Sequence, residues 1–132
     1  MEPNRTFKVL IVEDLQPLWE IYRKQFDIFE RQDQEKYETY FAASVDEGVR
    51  QWHEHPDLDV ITVDYELSPM GNWGTDLVDR IRPEFKGPML ATSSNPECNE
   101  KLMAKGCQYR AKDKTCVAYN VRQILHKMPE SS

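Results

Sequence analysis

The chain has 132 residues, 39% of them hydrophobic and 11% aromatic, which suits one globular domain with a sizeable core and leaves no room for a second, effector domain. A formal net charge of −6 and a pI near 5.1 argue against a nucleic-acid binder, because neutralising phosphates takes clustered Lys and Arg and no such cluster occurs. The opening "MEPNRTFKVLIVED" has neither a long apolar core nor a cleavage site, and no later run is long enough to span a bilayer, so a soluble, cytoplasmic protein without membrane contact is expected.

The predicted elements alternate. "FKVLIVED" (7–14) reads as a buried strand, and "QPLWEIYRKQFDIFERQ" (16–32) as a helix with Leu18, Ile21, Tyr22, Phe26 and Phe29 at helical spacing and Pro17 near its start. The charged "ERQDQEKYE" is a solvated helix end or loop. "YETYFAAS" (37–44) is a second strand, and Ser44 with Glu47 forms a capping-box pattern opening the helix "VDEGVRQWHEH" (45–55). "DLDVITVD" (57–64) is the third strand, "GTDLVDRIR" (74–82) the third helix and "GPMLATSS" (87–94) the fourth strand. "NPECNEKLMAKG" (95–106) is helical, with Pro96 near its start and Gly106 at its end. "CQYRAK" (107–112) is a fifth, weaker strand, "TCVAYNVRQILHKM" (115–128) a last helix capped by Thr115, and "PESS" a frayed tail. The ordered core is expected to run over about residues 6–128 of a single domain spanning 1–132.

Cys98, Cys107 and Cys116 are an odd count without close pairing and read as reduced thiols. His53 and His55 point about 200° apart on a helix and cannot share a metal.

Five strands, each followed by a helix, make an α/β domain with a parallel sheet covered on both faces, whose ligand site lies beyond the carboxyl ends of the strands. Those ends carry Glu13 and Asp14, Asp64, the hydroxyls of Thr92, Ser93 and Ser94, and Lys112. Crowded carboxylates repel, and a hard divalent cation such as Mg²⁺, held by oxygen ligands, relieves them. A metal beside an ammonium and a hydroxyl can hold a phosphoryl group while a carboxylate, here Asp64, attacks phosphorus to form an acyl phosphate.

Taken together and in order, "VLIVED", "VITVDYEL…GNWGTDLVDRIR", "PMLATSS" and "YRAK" resemble the receiver domain of two-component response regulators over nearly the whole chain. The resemblance implies a (βα)5 doubly wound, flavodoxin-like three-layer sandwich with strand order 2-1-3-4-5 and no output domain. It makes Asp64 the phosphoacceptor, Asp14 the direct metal ligand and Glu13 the second acid. The main-chain carbonyl of Glu66 completes the sphere of a Mg²⁺ or Mn²⁺ ion. Lys112 then pairs with the phosphoryl oxygens, and Ser93 is the strand-four hydroxyl, unless a one-residue slip makes it Thr92. Glu66 and Asn95 flank the path of the hydrolytic water, and Tyr109 is the aromatic that rotates when the hydroxyl moves.

The implied activity is acceptance of a phosphoryl group from a histidine kinase or phosphotransfer protein, with self-phosphotransfer and autodephosphorylation rather than ordinary turnover. Phosphorylation would change the surface formed by the fourth helix, fifth strand and fifth helix, where a downstream protein binds. The alternatives are a pseudo-receiver that binds protein without phosphorylation and, more remotely, a small Mg²⁺-dependent phosphohydrolase. Three departures from the family pattern stand out: Asp113 follows Lys112 where a proline is usual, the loop after Asp64 is about two residues longer, with Gly71 and Gly74 in the turn, and the acidic pair Glu13-Asp14 is Glu-Asp rather than Asp-Asp.

Overall fold

The apolar run of the first strand is continuous because both of its faces are covered. In the computed structural model, which describes residues 5–127, β1 (Thr6–Val12) turns Phe7, Val9 and Ile11 into one core and Leu10 and Val12 into another. Then follow α1 (Gln16–Asp33), β2 (Lys36–Ala42), α2 (Val45–Glu54), β3 (Val60–Val63), β4 (Glu66–Leu67), β5 (Asn72–Trp73), α3 (Gly74–Ile81), β6 (Met89–Ala91), α4 (Pro96–Lys105) and β7 (Tyr109–Arg110). A 3-10 turn (Lys114–Cys116) leads into α5 (Val117–Leu125).

The main sheet is parallel with order β2-β1-β3-β6-β7. Counting only its members, this is 2-1-3-4-5, the flavodoxin-like α/β arrangement expected. The remaining strands, β4 and β5, form a separate antiparallel ribbon in the long loop after Asp64. Its tip carries Gly71 at φ 88, a conformation a Cβ would oppose. On one side of the sheet α1 and α5 supply Tyr22, Phe26, Val117, Ala118 and Val121 to the core. On the other, α2, α3 and α4 supply Val45, Leu77, Val78, Ile81 and Leu102.

Local signals hold with small shifts. Ser44 accepts the Glu47 N–H at 3.1 Å as the capping box requires, although the Glu47 carboxylate reaches the N–H of Ala43 rather than that of Ser44. The first helix continues through Asp33 until Gln34 takes the left-handed conformation at φ 56. The last helix is not capped by Thr115 as expected: its N-cap position is Cys116, without a side-chain cap, and Asp113 instead caps the preceding 3-10 turn, accepting the Thr115 N–H at 2.8 Å. The tail "PESS", with Met128, lies outside the described residues.

Candidate functional site

Two backbone bonds carry the ladder one residue past the assigned strands. Glu13 N–H donates to Ala42 O at 2.8 Å and Asp64 N–H to Val12 O at 3.0 Å, so Glu13 and Asp64 project side by side at the carboxyl edge. Glu13 is only 1% exposed; its carboxylate accepts the Leu15 N–H at 3.2 Å, and its carbonyl accepts the Trp19 indole at 2.7 Å. Asp14 opens the turn into α1 and accepts a 3.4 Å bond from the Ser68 hydroxyl at the base of the ribbon. One oxygen of Asp64 accepts the Tyr65 N–H at 2.8 Å. Behind it, α3 starts so close that a Cβ on Gly74 would lie 2.0 Å from the Asp64 carbonyl oxygen.

Glu13, Asp14 and Asp64 each offer an oxygen within 4.8 Å of the others. That all-oxygen set fits a hard divalent ion. A second group with the same spacing, Asp33, Glu35 and His126, is already engaged by side-chain partners. Arg122 binds Asp33 through two nitrogens, at 2.6 and 3.0 Å, and His126 lies 2.7 Å from Glu35.

The expectation for Lys112 is corrected by the fold. Lys112 is exposed and lines a cavity of about 1040 Å³ between α4 and α5, together with Tyr109, Arg110 and Tyr119. The ammonium at the carboxylates belongs to Lys114, which lies 3.0 Å from Asp64 and also contacts Glu13. Extended backbone at Asp113 (φ −160, ψ 177) and its cap on the 3-10 turn bring the chain back over the sheet edge at the next residue. The buried Tyr22 hydroxyl donates to the Lys114 carbonyl at 2.9 Å. Reading the strand pattern on through Lys112 missed this. The signal was the Asp113–Thr115 pair, an Asx cap that ends the strand and starts a turn. Burial and the charge of Asp64 push the Glu13 carboxyl up to about 7, against the opposing pull of Lys114. Burial, then the charges of Glu13 and Asp64, raise the Tyr22 phenol.

The hydroxyl is decided by register. Val63 pairs with Ala91, and Thr92 N–H donates to Val63 O at 3.0 Å, so Thr92 is the residue beside Asp64 and shares its face. Ser93 faces the other way. Its hydroxyl accepts the Asn95 N–H at 3.1 Å, and the buried Asn99 amide brackets its backbone, accepting from its N–H at 2.8 Å and donating to its carbonyl at 2.9 Å. The expectation of Ser93 beside Asp64 gives way to Thr92, the one-residue slip left open by the sequence.

Asn95 is exposed and caps α4, accepting the Glu97 N–H at 2.9 Å. Glu66 begins β4 with its side chain exposed. Tyr109 pairs with Leu90 across β6 and β7, on the same face as Thr92, and packs half-buried on the core that α5 contributes to. Trp73 lies against Tyr65, with ring centroids 5.3 Å apart, and the Lys101 ammonium sits 5.5 Å over the same Tyr65 ring.

No protein-family model and no curated protein matches the sequence. Solved structures do match. A CheY-like response regulator receiver domain protein from Methanospirillum hungatei superposes with a TM-score of 0.71 over 93% of this chain and 96% of its own, at 16% identity. The chemotaxis protein CheY4 of Vibrio cholerae gives a TM-score of 0.69 over 90% of this chain and 98% of its own, at 20% identity. A two-component response regulator from Clostridium difficile gives 0.69 over 94% and 99%, at 16% identity. This chain has the receiver-domain fold. In receiver terms, the carboxylates, Lys114 and Thr92 stand at the carboxyl edge of the sheet, where a doubly wound α/β fold keeps its ligand site. Among the described residues, no helix is long and apolar enough to cross a membrane.

Proposed function

We propose that the protein is a response regulator receiver that accepts a phosphoryl group on Asp64. The observation that carries this reading is the buried Asp64 carboxylate held 3.0 Å from the Lys114 ammonium within a three-carboxylate group. An Asp64 oxygen attacks the phosphorus of a phosphohistidine on a kinase or phosphotransfer protein. The O–P bond forms as the P–N bond breaks, its electron pair returns to the imidazole nitrogen, and the product is an acyl phosphate. Water later attacks phosphorus, releasing orthophosphate and restoring the carboxylate.

Glu13, Asp14 and Asp64 would hold Mg²⁺ or Mn²⁺, with the Glu66 main-chain carbonyl as a further ligand. When bound, that ion neutralises phosphoryl oxygens. Lys114 transfers its ammonium from the Asp64 carboxylate to a phosphoryl oxygen. The Thr92 hydroxyl donates a hydrogen bond to another, and its movement frees space for Tyr109 to rotate. The surface of α4, β7 and α5 then reports the change to a protein partner. Glu66 and Asn95 flank the water path, and the helix-capping role of Asn95 limits it to tuning hydrolysis.

Intact-protein and peptide mass spectrometry after incubation with acetyl phosphate and Mg²⁺ tests the reading. Stoichiometric phosphate on Asp64, absent in Asp64→Asn, is expected. No adduct would leave a protein-binding module without phosphorylation, and multiple turnover of free substrate would indicate a phosphohydrolase.

A further inference from the structure

The receiver site needs its ammonium in one place, yet Lys114 sits in a short 3-10 turn, where nothing in the local sequence holds a long, flexible side chain over the carboxylates. Besides the ion pairs of its ammonium with Glu13 and Asp64, a hydrogen bond reaches the backbone of that turn from far along the chain. Tyr22, on the inward face of α1 and 1% exposed, donates its hydroxyl to the Lys114 carbonyl at 2.9 Å. The ring is wedged in the core with Phe7, Ile11, Phe26, Val117 and Val121, so the hydroxyl has a fixed position. Asp113 holds the same turn from the solvent side through Thr115. The Lys114 backbone is therefore clamped between a buried donor and an exposed cap.

We propose that Tyr22 is a positioning residue for phosphoryl transfer. It sets where the Lys114 backbone lies, and through it where the ammonium stands against Asp64 and Glu13. Buried as it is, Tyr22 touches neither phosphate nor ion and acts only through Lys114. The inference rests on Asp64 as the acceptor. Its physical basis is that a misplacement of about 1 Å in the groups that orient and stabilise a reaction can lower the rate by roughly two orders of magnitude. Tyr22→Phe keeps the ring and its packing and removes only the hydroxyl.

The test measures initial rates of Asp64 phosphorylation from acetyl phosphate with Mg²⁺ in wild type, Tyr22→Phe, Lys114→Met and the double variant. It also follows the ¹⁵N resonance of the Lys114 ammonium without phosphate. Loss of one net hydrogen bond predicts a rate lower by roughly fivefold in Tyr22→Phe. The rate is expected to be no lower in the double variant than in Lys114→Met alone, and the Lys114 resonance is expected to shift. A merely structural tyrosine would slow both backgrounds equally or neither. Equal slowing, an unchanged rate, or an unmoved Lys114 resonance each overturns the proposal. If the resonance moves but wild type takes no phosphate, the acceptor reading fails while the control of Lys114 by Tyr22 stands.

Discussion

Replacing each of two lysines by methionine separates the local pattern from the fold. Lys114 has a side chain 19% exposed and is paired with Glu13 and Asp64, whose side chains are 2% and 10% exposed. Removing one partner of such a buried group costs about 3–5 kcal/mol when the remaining charge cannot adapt. Here Glu13 can adapt. With its carboxyl pushed up to about 7 by burial and by Asp64, the native state holds a proton that the unfolded chain releases near 4.5. The sign follows: this group's contribution to stability falls as pH rises between those values. Without Lys114 the Glu13 carboxyl rises further, so the falling window extends to higher pH, and the gap between variant and wild type widens by up to about 1.4 kcal/mol per pH unit. Metal-free urea unfolding followed by tryptophan fluorescence should show Lys114→Met destabilised by about 1 kcal/mol at pH 6 and about 3 kcal/mol at pH 8.5. Lys112→Met, on an exposed side chain, should stay within about 0.5 kcal/mol at both. A larger loss for Lys112→Met, or a Lys114→Met gap that does not grow with pH, would refute this assignment of the ammonium.

Mg²⁺ should raise the unfolding midpoint by binding the native state alone, and Asp14→Asn should abolish the shift in a thermal melt; a full shift in that variant would remove Asp14 from the metal set. Thr92→Ala should slow phosphorylation from acetyl phosphate by roughly an order of magnitude through loss of a hydrogen bond to a charged group, whereas Ser93→Ala should change it by less than about twofold. The reverse ranking, read by quantitative mass spectrometry, would return the hydroxyl to Ser93. Gly74→Ala must push the Asp64 carbonyl away from a contact of 2.0 Å, and because the neighbour is backbone it should lose about 3 kcal/mol in urea unfolding. A near-neutral result would show that α3 does not press on Asp64.

Much of this protein is written locally in its sequence. Apolar runs on β1 and β3, caps such as Ser44, and Gly106 after α4 depend on neighbours a few residues away, and they specify the alternating elements and hence the sheet. The acids were legible for the same reason: Glu13, Asp14 and Asp64 follow directly on buried strands, so the strands aim them. Which lysine and which hydroxyl join them was decided by the turn that follows β7 and by the pairing of strands far apart in the chain. Lys114 rather than Lys112 meets the carboxylates where the Asp113 cap turns the chain, and the Tyr22 hydroxyl, 92 positions earlier, bonds the carbonyl of that same turn. Thr92 is chosen over Ser93 by the pairing of Val63 with Ala91. Because side chains alternate along a strand, one residue of register is the difference between facing Asp64 and facing α4.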